Sequence, residues 1–147
     1  MKKMRPDEMF AAIKADFPEA RQEEGTSAVI IPKESLLKIA LYLKNNRLTF
    51  DNLHCITAID RKEKIELAYT LYSIPGRHGI CLKVYLTSPD LNVASLAEFW
   101  KSANWLEREV YDLFGVIFLN HPDLRRILNP YDWKGYPLLK SYSKPGL

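Results

Sequence analysis

Between Asn104 and Lys140 the chain gathers the side chains best able to do chemistry. Three acids, Glu107, Glu109 and Asp112, surround Arg108; His121, Asp123 and the adjacent pair Arg125 and Arg126 follow, and then Trp133, Pro137 and Lys140. Acids on a helix could act as general acid and base. Glu107 and Glu109, however, stand about 200° apart around a helical axis and cannot share a substrate, whereas Glu109 and Asp112, three apart, can. The same pair suits another role, accepting charge-assisted bonds from an arginine fork supplied by Arg125, Arg126 or a partner. Metal chemistry has less to work with. Cys55 and Cys81 lie far apart in apparent strands and read as buried free thiols, and His54, His78 and His121 are scattered, so no zinc or iron–sulfur spacing exists. There is no G-x-G-x-x-G, P-loop or triad-like grouping. We therefore expect no catalytic, cofactor-binding or metal-ligating residue in this chain.

A helix must position the acids. Asn104 with Glu107 three residues on reads as an N-cap and capping box, and Gly115 stands where a left-handed residue stops the helix after Phe114. Leu106, Val110, Leu113 and Phe114 share the packing face. Arg108 and Asp112 are i,i+4 partners on a charged, solvated face, and Glu107 and Glu109 fall in a first turn that favours acids. Val116 to Leu119 reads as a short strand. Beyond it Asn120-His121-Pro122-Asp123 forces a turn, since a residue before proline is pushed out of the helical region. Asn129-Pro130 offers a single turn holding Tyr131 and Trp133, and Gly135, Pro137, Pro145 and Gly146 exclude any long element afterwards.

Upstream, Pro6 to Phe17 reads as a helix, Ala28 to Ile31 as a strand, and Leu36 to Asn46 as a second helix through Leu36, Ile39, Ala40 and Leu43. Leu53 to Ile59 is a strand. Ile65, Leu67, Tyr69 and Leu71, then Ile80, Leu82, Val84 and Leu86, alternate with period two across short turns, as antiparallel neighbours do. Ser95-Leu96-Ala97-Glu98 reads as a capping box opening a helix that holds Phe99 and Trp100. The expected fold class is α+β: an antiparallel four-stranded sheet covered by helices on one face, with an irregular C-terminal docking tail. Residues 1–119 form the α+β domain carrying the acidic helix, and residues 120–147 form the tail.

Charge marks the tail as well. The chain's net charge is +3, and residues 121–147 hold Arg125, Arg126, Lys134, Lys140 and Lys144 against Asp123 and Asp132, so the whole excess resides there. A basic, Pro-rich segment with Tyr131, Trp133, Tyr136 and Tyr142 needs a partner to bury it. The basic start is followed by Asp7 and Glu8 instead of an apolar run, and no stretch nears the roughly 20 apolar residues of a membrane span. The reading is a cytosolic chain, peripheral at most.

The run Asn104-Trp105-Leu106-Glu107-Arg108-Glu109-Val110-Tyr111-Asp112-Leu113-Phe114-Gly115, then His121-Pro122-Asp123-Leu124-Arg125-Arg126-Ile127-Leu128, then Asp132-Trp133-x-Gly135-x-Pro137-Leu138, closely resembles the signature of the 30 kDa subunit of respiratory NADH:quinone oxidoreductase, complex I, where it is the bacterial C subunit. Related subunits occur in membrane-bound hydrogenase complexes. The likeness extends back through Thr57-Ala58-Ile59-Asp60 and Leu71-Tyr72-Ser73. It implies a non-catalytic accessory subunit of the hydrophilic arm, bracing a large 49 kDa-like quinone-site subunit and a small iron–sulfur subunit. Iron–sulfur clusters, with flavin and quinone or a nickel–iron centre, would then reside in the partners, and the chain would sit peripherally on the cytoplasmic face of the membrane, touching it only through the complex. Where the family usually has Pro-Leu-Arg-Lys followed by an acid and an aromatic, this sequence has Pro137-Leu138-Leu139-Lys140-Ser141-Tyr142 and then ends at Leu147. That departure keeps a second host in view, an energy-converting [NiFe] hydrogenase or formate hydrogenlyase. A nucleic-acid module is the remote alternative: strand Ile80 to Leu86 lacks the Gly-and-aromatic pattern of a base-stacking sheet, and the charge is mild.

Overall fold

The computed structural model describes residues 2–144; Pro145 and Gly146 lie outside them. Helix α1, Pro6–Asp16, starts with proline at its first position, and the Glu8 carboxylate accepts the Arg5 backbone N–H at 2.9 Å. Helix α2, Leu36–Asn45, follows a short 3-10 turn and buries Leu36, Ile39, Ala40 and Leu43, one stripe of its surface. Between the helices lie two short strands, β1 (Arg21–Gln22) and β2 (Val29–Ile30). Three nine-residue strands make the body of the sheet: β3 (Asn52–Asp60), β4 (Ile65–Ser73) and β5 (His78–Leu86).

The class is α+β, as expected, with five strands in the main sheet instead of four. Their order is β1-β2-β5-β4-β3. The additional strand, β1, has two exposed polar residues and so carries no hydrophobic period to read. β3, β4 and β5 form an antiparallel meander in which Ile56, Tyr69 and Leu82 lie side by side, all buried. Strand β2 joins β5 in parallel, Val29 against Leu82. Cys55 and Cys81 are free, but each is half-buried and not enclosed as expected. They flank Thr70 on one face, because every second residue of a strand points the same way.

A second, two-stranded sheet pairs β6 (Asn92–Ala94) in parallel with β7 (Ile117–Leu119). Between them runs α3, Lys101–Phe114, which packs along edge strand β3; its Ser102 hydroxyl donates to the Leu53 carbonyl at 2.7 Å. Two expectations fail here. The helix starts at Lys101 behind an extended Trp100, so Asn104 is inside it and is no cap, and Glu107 is far from the first turn. Residues 95–100 make a turn and not a helix, with Glu98 exposed. Both errors share one cause. The Glu107 side chain reaches out of α3 to Ser95 and the Leu96 backbone, so a pattern that looked like two local caps is a single tertiary contact.

Candidate functional site

The signature acids have three different environments. Asp112 is fully buried, and its carboxylate accepts five hydrogen bonds. Arg126 Nη1 donates to Oδ1 at 2.8 Å and Asn129 Nδ2 at 2.9 Å; the backbone N–H groups of Ile127, Leu128 and Asn129 donate to Oδ2 at 3.1, 2.7 and 2.9 Å. Burial on its own would raise this acid's pKa. The Arg126 guanidinium, both donors of Asn129 and the Leu128 N–H outweigh it and hold the carboxyl well below the usual carboxylate range. Three consecutive amides converging on one oxygen shape residues 127–129 into a nest closed around the acid.

Glu107 is also fully buried, but no Lys or Arg among the described residues pairs with it. Ser95 Oγ donates to Oε2 at 2.6 Å and the Leu96 N–H to Oε1 at 2.7 Å. Burial therefore wins and pushes its carboxyl up to about 7, against those two donors. His121 Nε2 lies 3.8 Å from Oε2. Its Nδ1 accepts the Asp123 N–H at 2.9 Å, which leaves Nε2 to donate to the Asn104 carbonyl at 3.0 Å. Glu107 and His121 thus bind α3 to the segment before it and to the turn after β7.

Arg108 is buried and does not pair with Asp112, whose carboxylate faces the tail. Its Nε donates to the Arg125 carbonyl at 3.3 Å, and its guanidinium stacks 4.4 Å from the ring centre of Trp105. The expected solvated charged face is therefore replaced by a face covered by residues 121–136. Glu109 alone of the three acids is exposed, and among the described residues its carboxylate has no hydrogen bond or ion pair.

The arginine pair divides as adjacent residues must. Arg125 is exposed and meets Asp123 at 3.0 Å. Arg126 is almost enclosed: Nη1 bonds the Asp112 carboxylate and, at 2.9 Å, the Asp112 carbonyl, while Nη2 donates to the Trp133 and Gly135 carbonyls at 3.0 and 2.8 Å. One planar fork joins α3 to two points of the tail. Trp133, half-buried, closes the expected single turn with its N–H on the Pro130 carbonyl at 3.0 Å. After Pro137, the Leu138 N–H bonds the Leu113 carbonyl at 3.0 Å and the Lys140 N–H bonds the Asp60 carboxylate at 2.8 Å, while the Lys140 side chain stays exposed.

Gly115 completes the arrangement. It ends α3 at φ +78°, and a Cβ there would come within 2.8 Å of the Tyr136 ring, so the tail crosses the helix end where only glycine leaves room. Residues the sequence did not single out are Asn129, which looked like a cap for the Pro130 turn; Ser95, taken for a helix cap; Asp60; and Tyr136, which lies over Arg126 at 4.9 Å. Among the described residues no cluster of three or more His, Cys, Asp or Glu could hold a metal ion, and no helix is long and apolar enough to cross a membrane.

Residues 29–146 match the family described as the respiratory-chain NADH dehydrogenase, 30 Kd subunit. The chain is 43% identical over 143 residues to the NADH-quinone oxidoreductase C subunit of Geobacter sulfurreducens, covering 95% of this chain and 86% of that one. It is 40% identical over 140 residues to the C subunit of the Moorella thermoacetica enzyme, covering 92% and 94%. Among solved structures, the trypsin-resistant fragment (1–134) of Nqo5 superposes with a TM-score of 0.69 at 29% identity, over 82% of this chain and all of that one. A chain of the membrane-bound sulfane sulfur reductase, an archaeal respiratory membrane complex, superposes with a TM-score of 0.74 at 23% identity over 93% and 85%, a likeness of fold alone.

Proposed function

We propose a role for this chain from its family: it belongs to the respiratory-chain NADH dehydrogenase 30 Kd subunit family. Its function is that of the C subunit in a complex I-like NADH:quinone oxidoreductase, and within that assembly we assign it a bracing role without chemistry of its own. The observation that carries this is the use made of its charged signature. Asp112 and Arg126 are consumed in holding the chain's own tail, and Glu107 and His121 in holding its own turns, so these groups are spent on shape and do not converge on a space where a substrate could sit. The held tail presents Leu128, Tyr131 and Leu138, 63%, 94% and 52% exposed, beside the cations Arg125, Lys134 and Lys140. Exposed aromatic and aliphatic groups on a fixed backbone have the composition of an interface core and cost little ordering entropy on docking.

On this reading the tail docks against a large 49 kDa-like subunit and a small iron–sulfur subunit, which carry the redox centres, and the chain is peripheral on the cytoplasmic side of the membrane. The named relatives favour the respiratory host over the hydrogenase-type one. Affinity purification of the intact membrane complex through this chain tests the assignment. The two partner subunits should be recovered in equal amounts, with iron and flavin absent from the chain purified alone. Stoichiometric iron or flavin on the lone chain, or recovery without those partners, would contradict it.

A further inference from the structure

Trp105, Glu109 and Leu113 follow at four-residue spacing along one stripe of α3, which turns its outer side to solvent. At its end lies a cleft of about 160 Å³ between the helix, edge strand β3 and the tail, walled by Ile56, Ala58, Val110, Leu113 and Leu138, with Glu109 on its rim. That is roughly five times the share of liquid volume one water takes, room for the stem of one long side chain. The walls are apolar apart from Thr57, and the exposed Glu109 carboxylate has no protein partner among the described residues. The acids nearest it in the signature have partners: Asp112 has Arg126, Asp123 has Arg125, and Glu107 is bonded by Ser95 and Leu96. The chain carries three more cations than acids, yet among the described residues none is placed on Glu109. One turn away, Trp105 is 61% exposed, with Arg108 stacked on it as a fixed base.

We propose that this cleft is the receptor for a single basic side chain, Lys or Arg, projecting from a neighbouring subunit, its methylene stem between Leu113 and Ile56 and its charged head on Glu109. A Lys or Arg side chain is the group that matches both halves of the site, because it buries an aliphatic stem while keeping its charge at the surface. The carboxylate then accepts a charge-assisted bond that no group of this chain supplies. Trp105 packs against the backbone carrying that residue, in the pattern of an aromatic anchor beside an ion pair. The cation comes from the partner's surface, which sets this contact apart from the tail's own cations facing outward.

The inference rests on the subunit reading above, and its test separates the two. In the intact complex, Thr57, an exposed residue of β3 that lines the cleft, is replaced by the photo-crosslinking amino acid p-benzoylphenylalanine, and the joined peptide is identified by mass spectrometry. The expected product is a peptide of a neighbouring subunit with a Lys or Arg within two residues of the joined position. In parallel, Glu109→Lys should lower the amount of assembled complex by about tenfold or more, because two like charges then face each other where the stem must enter, while Glu109→Gln has a smaller effect and both variant chains unfold at the wild-type temperature when isolated. A joined peptide without a cation, a crosslink to a second copy of this chain, or wild-type assembly of Glu109→Lys would overturn the inference with the subunit assignment intact. Absence of this chain from the complex would overturn both.

Discussion

Asp112 and Arg126 meet at 2.8 Å with 0% and 9% of their side chains exposed, and each is used a second time, the acid by three backbone amides of the tail and the arginine by two of its carbonyls. The pair is a staple that joins the last turn of α3 to a segment with no regular structure. An irregular segment has no ladder or helix to pair its buried amides, and here one carboxylate satisfies three of them.

Asp112→Asn should destabilise the chain by roughly 3–5 kcal/mol, because Arg126 stays buried without its counter-charge and an amide NH2 group faces donors it cannot accept from. Chemical denaturation measures the loss. Trypsin should at the same time cleave after Arg125, Arg126 and Lys134 in the variant before it cuts the sheet, since releasing the tail exposes those bonds.

The two buried acids should give opposite pH dependences. Asp112 has a folded pKa below its unfolded one, so its stabilisation is present above the ordinary carboxylate range and is lost as acid is added. Glu107 has a folded value of about 7 against an ordinary 4.5, so its contribution is complete below about 4.5 and is lost as pH rises through 7. Glu107→Gln mimics the protonated acid and removes that dependence. The wild type should therefore lose a few kcal/mol relative to the Gln variant between pH 4.5 and 7, measured as the difference of two denaturation series; a difference that stays constant with pH would refute the assignment.

Gly115→Ala should cost about 1–2 kcal/mol from its left-handed backbone alone, with more from the Tyr136 ring 2.8 Å from the new methyl. A double-mutant cycle separates the parts. Tyr136→Ala should relieve the steric share and leave the backbone share, so the two substitutions together cost less than their sum.

Much of the fold was legible in the sequence where the signal is local. The period-two runs of β4 and β5, the stripe of α2 and the glycine stop of α3 depend on neighbours a few residues apart, and these patterns place the element ends within one or two residues. The site was legible as a set of residues and illegible as a set of contacts. Asn104 and Glu107 have the spacing of a capping box, yet Glu107 bonds Ser95 and Leu96, and Arg108 and Asp112 have the spacing of an ion pair, yet Asp112 turns to residues 126–129. Helical spacing proposes the neighbour along the helix, and a buried carboxyl takes the partner that satisfies it most fully. The tail's fold onto α3 has no periodic pattern to announce it, because its order comes from Asp112, Arg126 and Asp60 and not from its own propensity.

On the proposed role, the tail stapled by Asp112 and Arg126 docks this chain and takes no part in electron transfer. Arg126→Lys tests it most directly: an ammonium has one compact head and cannot reach Asp112, the Trp133 carbonyl and the Gly135 carbonyl together. The measurement is NADH:quinone electron-transfer rate divided by the amount of assembled complex, in membranes carrying the variant. Assembled complex and total rate should fall together, with the rate per assembled complex near wild type. Full assembly with a collapsed rate per complex would contradict the claim and place Arg126 in the redox chemistry itself.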